Sequence, residues 1–264
     1  QGSKTDGSAQ KFLAKHLNIE IGLGLRSNSW AGAEFWEQQG TGGLTLGEVI
    51  RRSEVLTLGI DGGGLDDLLG VCVLGREIGT GNWLCWSHAW AHPIVLERRK
   101  EIATKLLDFQ ADGDLTIVGR IGEDLQGVAD VAKQCEDSGL LDRVGVDPAG
   151  IETTLEAVKD ACGWEDNSRF VGVPQGWKLQ GAIKSTERRL AEGTLHHGDT
   201  RLMAWSVGNA KVEPRGNAVM ITKQTAGSAK IDPLMALFDA VSLMMTNPAA
   251  RGKSVYEKRG IRRL

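Results

Sequence analysis

Several features are scarce in this chain, and each scarcity excludes something. Its apolar runs are short: stretches such as Leu234–Phe238 fall far below the roughly 20 residues that a membrane-spanning helix needs. Cysteine is limited to Cys72, Cys85, Cys135 and Cys162, far apart and without a C-x-x-C pair or histidines at zinc spacing. They read as buried free thiols of a reducing compartment rather than as disulfides or a zinc site. No secretory pattern opens the chain. The phosphate loop G-x-x-x-x-G-K-[ST] is also missing, because Gly252-Lys-Ser254 lacks the upstream glycine, so ATP hydrolysis by a P-loop is excluded.

What is present is ordinary globular material: 264 residues, 41% apolar and 25% charged, with a mean hydropathy of −0.20. That length supports one large or two small domains with a real core, and the composition excludes disorder, collagen and coiled coil. The net charge of −3 hides a division. Residues 1–175 hold 16 Lys and Arg against 27 Asp and Glu, whereas residues 176–264 hold 15 against 7. An acidic half joined to a basic half suits a polyanionic partner on one face.

Residues 8–23 begin as an amphipathic helix with Phe12, Leu13 and Leu17 on one side, and an aperiodic stretch follows to Gly43. Residues 1–50 therefore read as a linker with an N-terminal helix, 51–250 as an α/β domain, and 251–264 as a basic tail. Within the domain, alternation predicts strands at Val55–Asp61, Leu68–Leu74 and Trp83–Trp90, the last two joined by Gly79-Thr-Gly-Asn82. Helices are predicted at 96–110, 123–137, 151–162, 182–192 and 232–245, with further strands near 115–118, 144–146, 170–173 and 218–222. Three antiparallel strands followed by strand–helix units predict a ribonuclease H-like mixed five-stranded sheet flanked by helices.

Three acids fall where such a sheet collects functional groups. Asp61 ends the first strand, Asp147 ends a later buried strand, and Asp232 opens the last helix. Two-metal phosphodiester chemistry needs carboxylates converging on one point, with hard oxygen ligands for Mg²⁺ or Mn²⁺. Each acid also has a structural reading: Asp61 as a turn residue, Asp147-Pro148 and Asp232-Pro233 as helix caps. Asp66 and Asp67 read as turn residues. Asp239 lies seven residues beyond Asp232, about 10 Å along the helix axis, which is far for sharing one ion. The turn Gly62-Gly63-Gly64 permits close approach of a phosphate and opens an actin-like phosphotransferase reading. That reading needs a second glycine-rich loop, of which Val146–Gly150 is a poor version.

Four segments resemble the nuclease domain of phage terminase large subunits, the DNA-packaging motors. They are Phe12–Asn18 with Trp30 and Trp36, Leu58–Leu68, Val144–Pro148, and Lys230–Ala240. Pro233 stands where the family pattern leads one to expect glycine. The resemblance implies an ATPase domain upstream and a metal-dependent endonuclease that cuts concatemeric DNA in the host cytoplasm. It also implies a portal protein and a small terminase subunit as partners, and no membrane. Asp61, Asp147 and Asp232 become catalytic metal ligands for two Mg²⁺ or Mn²⁺ ions, with Asp239 a weaker candidate. Lys178, Lys184, Arg215, Lys223 and Lys230 become candidates for contact with the phosphates of double-stranded DNA, with Val212–Thr222 as a hairpin nearby. Water attacking in line leaves a 3′-hydroxyl and a 5′-phosphate. His196 and His197, and the eight tryptophans, read as structural. The non-enzymatic alternative is a DNA-gripping or docking module of the motor.

Overall fold

Alternation along one strand explains much of the architecture. In β1 (Ser53–Gly62), Leu56, Leu58 and Ile60 enter one apolar cluster, while Val55, Thr57, Gly59 and Asp61 face the opposite way. The computed structural model describes residues 28–148, 152–216, 218–223 and 229–251. The helix expected at 8–23 and the tail from 252 lie outside the described residues.

Strand β1 pairs antiparallel with β2 (Leu68–Glu77) and parallel with β5 (Leu141–Val146). Outward from these lie β3 (Trp83–Ala91), antiparallel to β2, and β6 (Phe170–Gly172), parallel to β5. The order β3-β2-β1-β5-β6 is the expected five-stranded core. The sheet has seven strands because β4 (Leu115–Ile117) and β7 (Leu195–His197) both attach to the outer edge of β3, at opposite ends of it. Three residues are too few for alternation to announce β7. A separate hairpin pairs β8 (Ala210–Arg215) with β9 (Ala218–Lys223), matching the one expected near 212–222, although Asn217 lies outside the described residues.

The helices cover both faces. Leu46 and Val49 of α2 (Leu46–Arg52), Val128 and Cys135 of α5 (Glu123–Asp137), and Val158 of α6 (Glu152–Cys162) pack on the Leu58 side. The opposite face receives α7 (Gln180–Ala191), α8 (Arg201–Asn209) and α9 (Asp232–Met244), together with the short α1 (Ala33–Trp36). The helix expected over 96–110 is divided at Arg99, whose φ of −119° and ψ of 55° separate α3 (Ile94–Arg98) from α4 (Lys100–Ala111).

Residues 28–50 are not a linker in the packed sense. Trp30 and Trp36 are fully buried, and Trp30 meets Phe238 of α9 edge-on at 5.3 Å. Two large aromatics removed from water contribute several kcal/mol to the domain, so the core begins well before residue 51.

Helix α9 is buried on nearly every side, as expected of a helix without a polar face. It lies directly on the sheet because β1 and β2 offer it no side chain at two points. A Cβ on Gly59 would sit 2.0 Å from the Ala236 carbonyl oxygen, and one on Gly70 2.7 Å from the Asp232 carbonyl carbon. Thr57 Oγ1 donates to the Ala240 carbonyl oxygen at 2.9 Å, tying the same helix to β1. Among the described residues no helix is long and apolar enough to cross a membrane.

Candidate active site

The carboxyl ends of β1, β5 and β6 lie along one edge of the sheet, and the acids gather there. Asp61 pairs with Gly70 near the end of β1, and its side chain follows Thr57 and Gly59 toward α9. Asp147 comes directly after β5, two residues beyond Gly145 on the same face. A Cβ on Gly145 would lie 3.0 Å from the Asp239 carbonyl oxygen, which places α9 over this strand as well. Asp232 and Asp239 are both buried on that helix.

Their electrostatics show that the acids sense one another. Burial pushes the Asp61 carboxyl well above the usual range, and Asp232, Asp239 and Asp147 raise it further, in that order, against the pull of Lys223. Asp232 is pushed up to about 6 by burial, with Asp67 adding and Lys223 and Lys230 opposing. Burial raises Asp239 to about 8, where a hydrogen bond from Gln175 lowers it and Asp147 raises it. Asp232 Oδ2, Asp239 Oδ2 and Gln175 Oε1 are buried without hydrogen-bond partners. Each such orphan costs about 1–3 kcal/mol. An all-oxygen donor set with unsatisfied, electron-rich atoms suits a hard divalent cation. Among the described residues, however, no three His, Cys, Asp or Glu side chains are drawn together as ligands of one ion. Lys223 stands among the acids, its ammonium 3.5 Å from Asp67 Oδ2 and 3.7 Å from Asp232 Oδ1.

Residues 141–247 match the family model described as terminase large subunit, endonuclease domain. Over that segment the chain is similar to the terminase nucleases. The matched segment contains Asp147, Asp232 and Asp239; Asp61, on β1, precedes it. The HK97 bacteriophage large terminase is similar in fold, with a TM-score of 0.63 and 18% identity over 91% of this chain and 50% of that one. This chain thus spans about half the length of that terminase. The large terminase nuclease of thermophilic phage G20c, with bound magnesium, gives 0.45 and 17% over 71% of this chain and 80% of that one. The g2p nuclease domain of bacteriophage SPP1, with bound Mn, gives 0.44 and 15% over 78% and 96%. No curated protein matches. The sheet order β3-β2-β1-β5-β6, with helices on both faces, is ribonuclease H-like.

Within this terminase-type framework two sequence expectations need correction. Asp232 does not cap α9: it is the first helical residue, Ile231 precedes it as the cap, and no side-chain capping bond forms. Its carboxylate is directed instead toward Lys223 and the other acids. Asp239 is not isolated by its distance along the helix. Side chains on a helix lean toward its N-terminus, and Asp61 and Asp147 approach from the strands below, so Asp239 raises Asp61 and is itself raised by Asp147.

The basic residues divide. Lys178 and Arg215 are exposed. Lys184 is exposed but pairs with Glu187 on its own helix at 2.7 Å. Lys223 faces the acids. Lys230 is contradicted as a contact for DNA phosphate: it is 2% exposed, and its ammonium donates to the Asp66 carbonyl oxygen at 3.0 Å and to Asp67 Oδ1 at 2.5 Å. This pair, of buried Lys230 with half-buried Asp67, ties the β1–β2 turn to the start of α9.

Asp67 and Gln175 are the members that sequence reasoning missed. Asp67 looked like a turn residue, and it does accept from the Leu68 amide at 3.0 Å, but its carboxylate also receives Lys223 and Lys230. Gln175 donates from Nε2 to Asp239 Oδ1 at 2.9 Å and to the Val173 carbonyl oxygen at 3.2 Å. Its sequence signals were a polar residue just past a strand end and the start of a segment, Gln175 to Lys184, that follows the terminase pattern without a role attached to Gln175. His197 is structural, buried against Trp36 with Nε2 at 2.8 Å from the Trp36 carbonyl oxygen.

Proposed function

We propose that this domain hydrolyses phosphodiester bonds of double-stranded DNA, with Asp61, Asp147 and Asp232 holding two Mg²⁺ or Mn²⁺ ions and Asp239 beside them. The observation that carries the reading is the group of mutually repelling acids at the strand ends, two of whose oxygens are buried without a partner. Bound there, divalent ions supply an activated water and neutralise the leaving oxygen. The chain's own residues contribute the negative charge that attracts such ions, and α9 holds two of those residues rigidly against the sheet. Gln175 orients Asp239 through its hydrogen bond. Exposed Lys178 and Arg215, and Lys184 when released from Glu187, contact phosphates without reading bases, so sequence preference is weak. In the whole protein the domain follows an ATPase domain and works with a portal protein and a small subunit, cutting concatemeric DNA in the host cytoplasm.

The second reading, a DNA-gripping module without metal, draws on the observation that no three acids converge as ligands among the described residues. Calorimetric titration with Mn²⁺, followed by plasmid cleavage in Mg²⁺ or Mn²⁺, separates the two. The nuclease reading expects Mn²⁺ binding by the wild-type chain and cleavage that falls by orders of magnitude in Asp232→Asn. A D232N chain that cuts at the wild-type rate would overturn the assignment of the acids. DNA binding without any Mn²⁺ uptake favours the gripping module.

A further inference from the structure

Seven of the eight tryptophans are buried or partly buried; Trp177 is 57% exposed. Its place is specific. Two residues earlier, Gln175 holds Asp239 in the acid group, and two residues later Leu179 is 2% exposed in the core. The intervening 3₁₀ turn, Gly176–Leu179, is therefore anchored at both ends, and it follows the carboxyl end of β6, the sheet edge at which the acids lie. Met220 of β9 lies beside the turn, where a Cβ on Gly176 would be 3.6 Å from its sulfur. Exposed Lys178 follows directly, with its ammonium 5.8 Å from the indole centroid.

Packing does not account for a rigidly held indole left in water, since its burial elsewhere would be favourable. A flat aromatic face with a cation beside it, next to acids suited to phosphodiester chemistry, matches one ligand in particular: a nucleobase with its phosphate. Stacked bases in an intact duplex hide their faces, so the base that meets Trp177 is unpaired. Leu65, four residues beyond Asp61 in the β1–β2 turn, is a second large apolar side chain left 50% exposed.

We infer that Trp177 is a stacking platform for an unpaired base of the DNA strand held at the acids, so that the duplex is held there in a locally opened form. This rests on the nuclease reading above and adds the form of DNA that the site accepts. Base–aromatic stacking is worth about 1–3 kcal/mol per base, or roughly 5- to 150-fold in affinity.

The test measures anisotropy of a labelled 20-nucleotide single strand and of the matching duplex in EDTA, so that nothing is cleaved. Trp177→Ala is expected to weaken single-strand binding at least fivefold and duplex binding less than twofold, and Trp177→Phe to recover most of the loss. Trp177→Leu keeps the apolar bulk without the aromatic face and is expected to behave like Ala; it carries the test if the Ala variant fails to fold. Single-strand affinity of W177A and W177L within twofold of wild type overturns the inference, as does an equal loss on both DNAs. A wild-type chain that binds neither DNA overturns the nuclease reading as well, which the variants alone would not do.

Discussion

Replacing Asp239 by Asn isolates the electrostatic cost of the acid group. In the folded chain its carboxyl is raised to about 8, from an ordinary value of 3.8. Between those values the unfolded chain has lost this proton while the folded chain keeps it. The folded state binds more protons, so stability falls as pH rises through the window and levels off above about pH 8. At about 1.36 kcal/mol per pH unit the ceiling is about 6 kcal/mol, and relaxation with water entry leaves about 3. Asn retains an oxygen to accept from Gln175 Nε2 and carries no charge. Urea unfolding in EDTA at pH 5, 7 and 9 should therefore show the wild type losing about 2 kcal/mol relative to D239N across the range, the part of the window that lies above pH 5. Near pH 5 the two should be similar; at pH 9 the variant should be the more stable. Mn²⁺ at pH 9 should restore the wild type more than the variant, by mass action on the folded state. Parallel pH profiles, agreeing within about 0.5 kcal/mol throughout, would refute a buried and strongly raised Asp239.

The basic residues give a contrast in salt dependence. Arg215→Ala should shallow the salt slope of duplex binding by about one unit, whereas Lys230→Met should leave the slope unchanged and destabilise the fold by about 3 kcal/mol, because Asp67 loses its buried partner. An equal change of slope in both variants would mean that Lys230 reaches DNA. Gly59→Ala should cost about 3 kcal/mol or more, since its Cβ would sit 2.0 Å from the Ala236 oxygen and α9 would have to lift; a melting midpoint within a degree of wild type would contradict that packing. Calorimetry with ATP should show no tight binding, and micromolar affinity would revive the actin-like reading.

The sequence by itself determined the strands, the last helix and the strand-end acids, because these depend on local periodicity. Alternation along Val55–Asp61 marks that strand with Asp61 at its end, and the strongly apolar run at 232–245 marks the last helix. Short elements escaped: β7 has three residues, and α8 (Arg201–Asn209) has nine, with a Thr200 cap that makes no side-chain bond. Membership of the acid group was decided by tertiary structure. Asp67, Gln175 and Asp239 come from a turn, a strand end and the third turn of a helix, and nothing local distinguishes them from turn, loop or core residues. Asp239 reaches Gln175, and Asp232 reaches Lys223 beside Asp67, because glycines in β1 and β2 let α9 lie against the sheet. The charge division shows the same limit. Lys223 and Lys230 were counted with a basic face, but folding turns them inward onto Asp67 and Asp232, where a buried carboxylate needs a nearby positive charge more than the surface does.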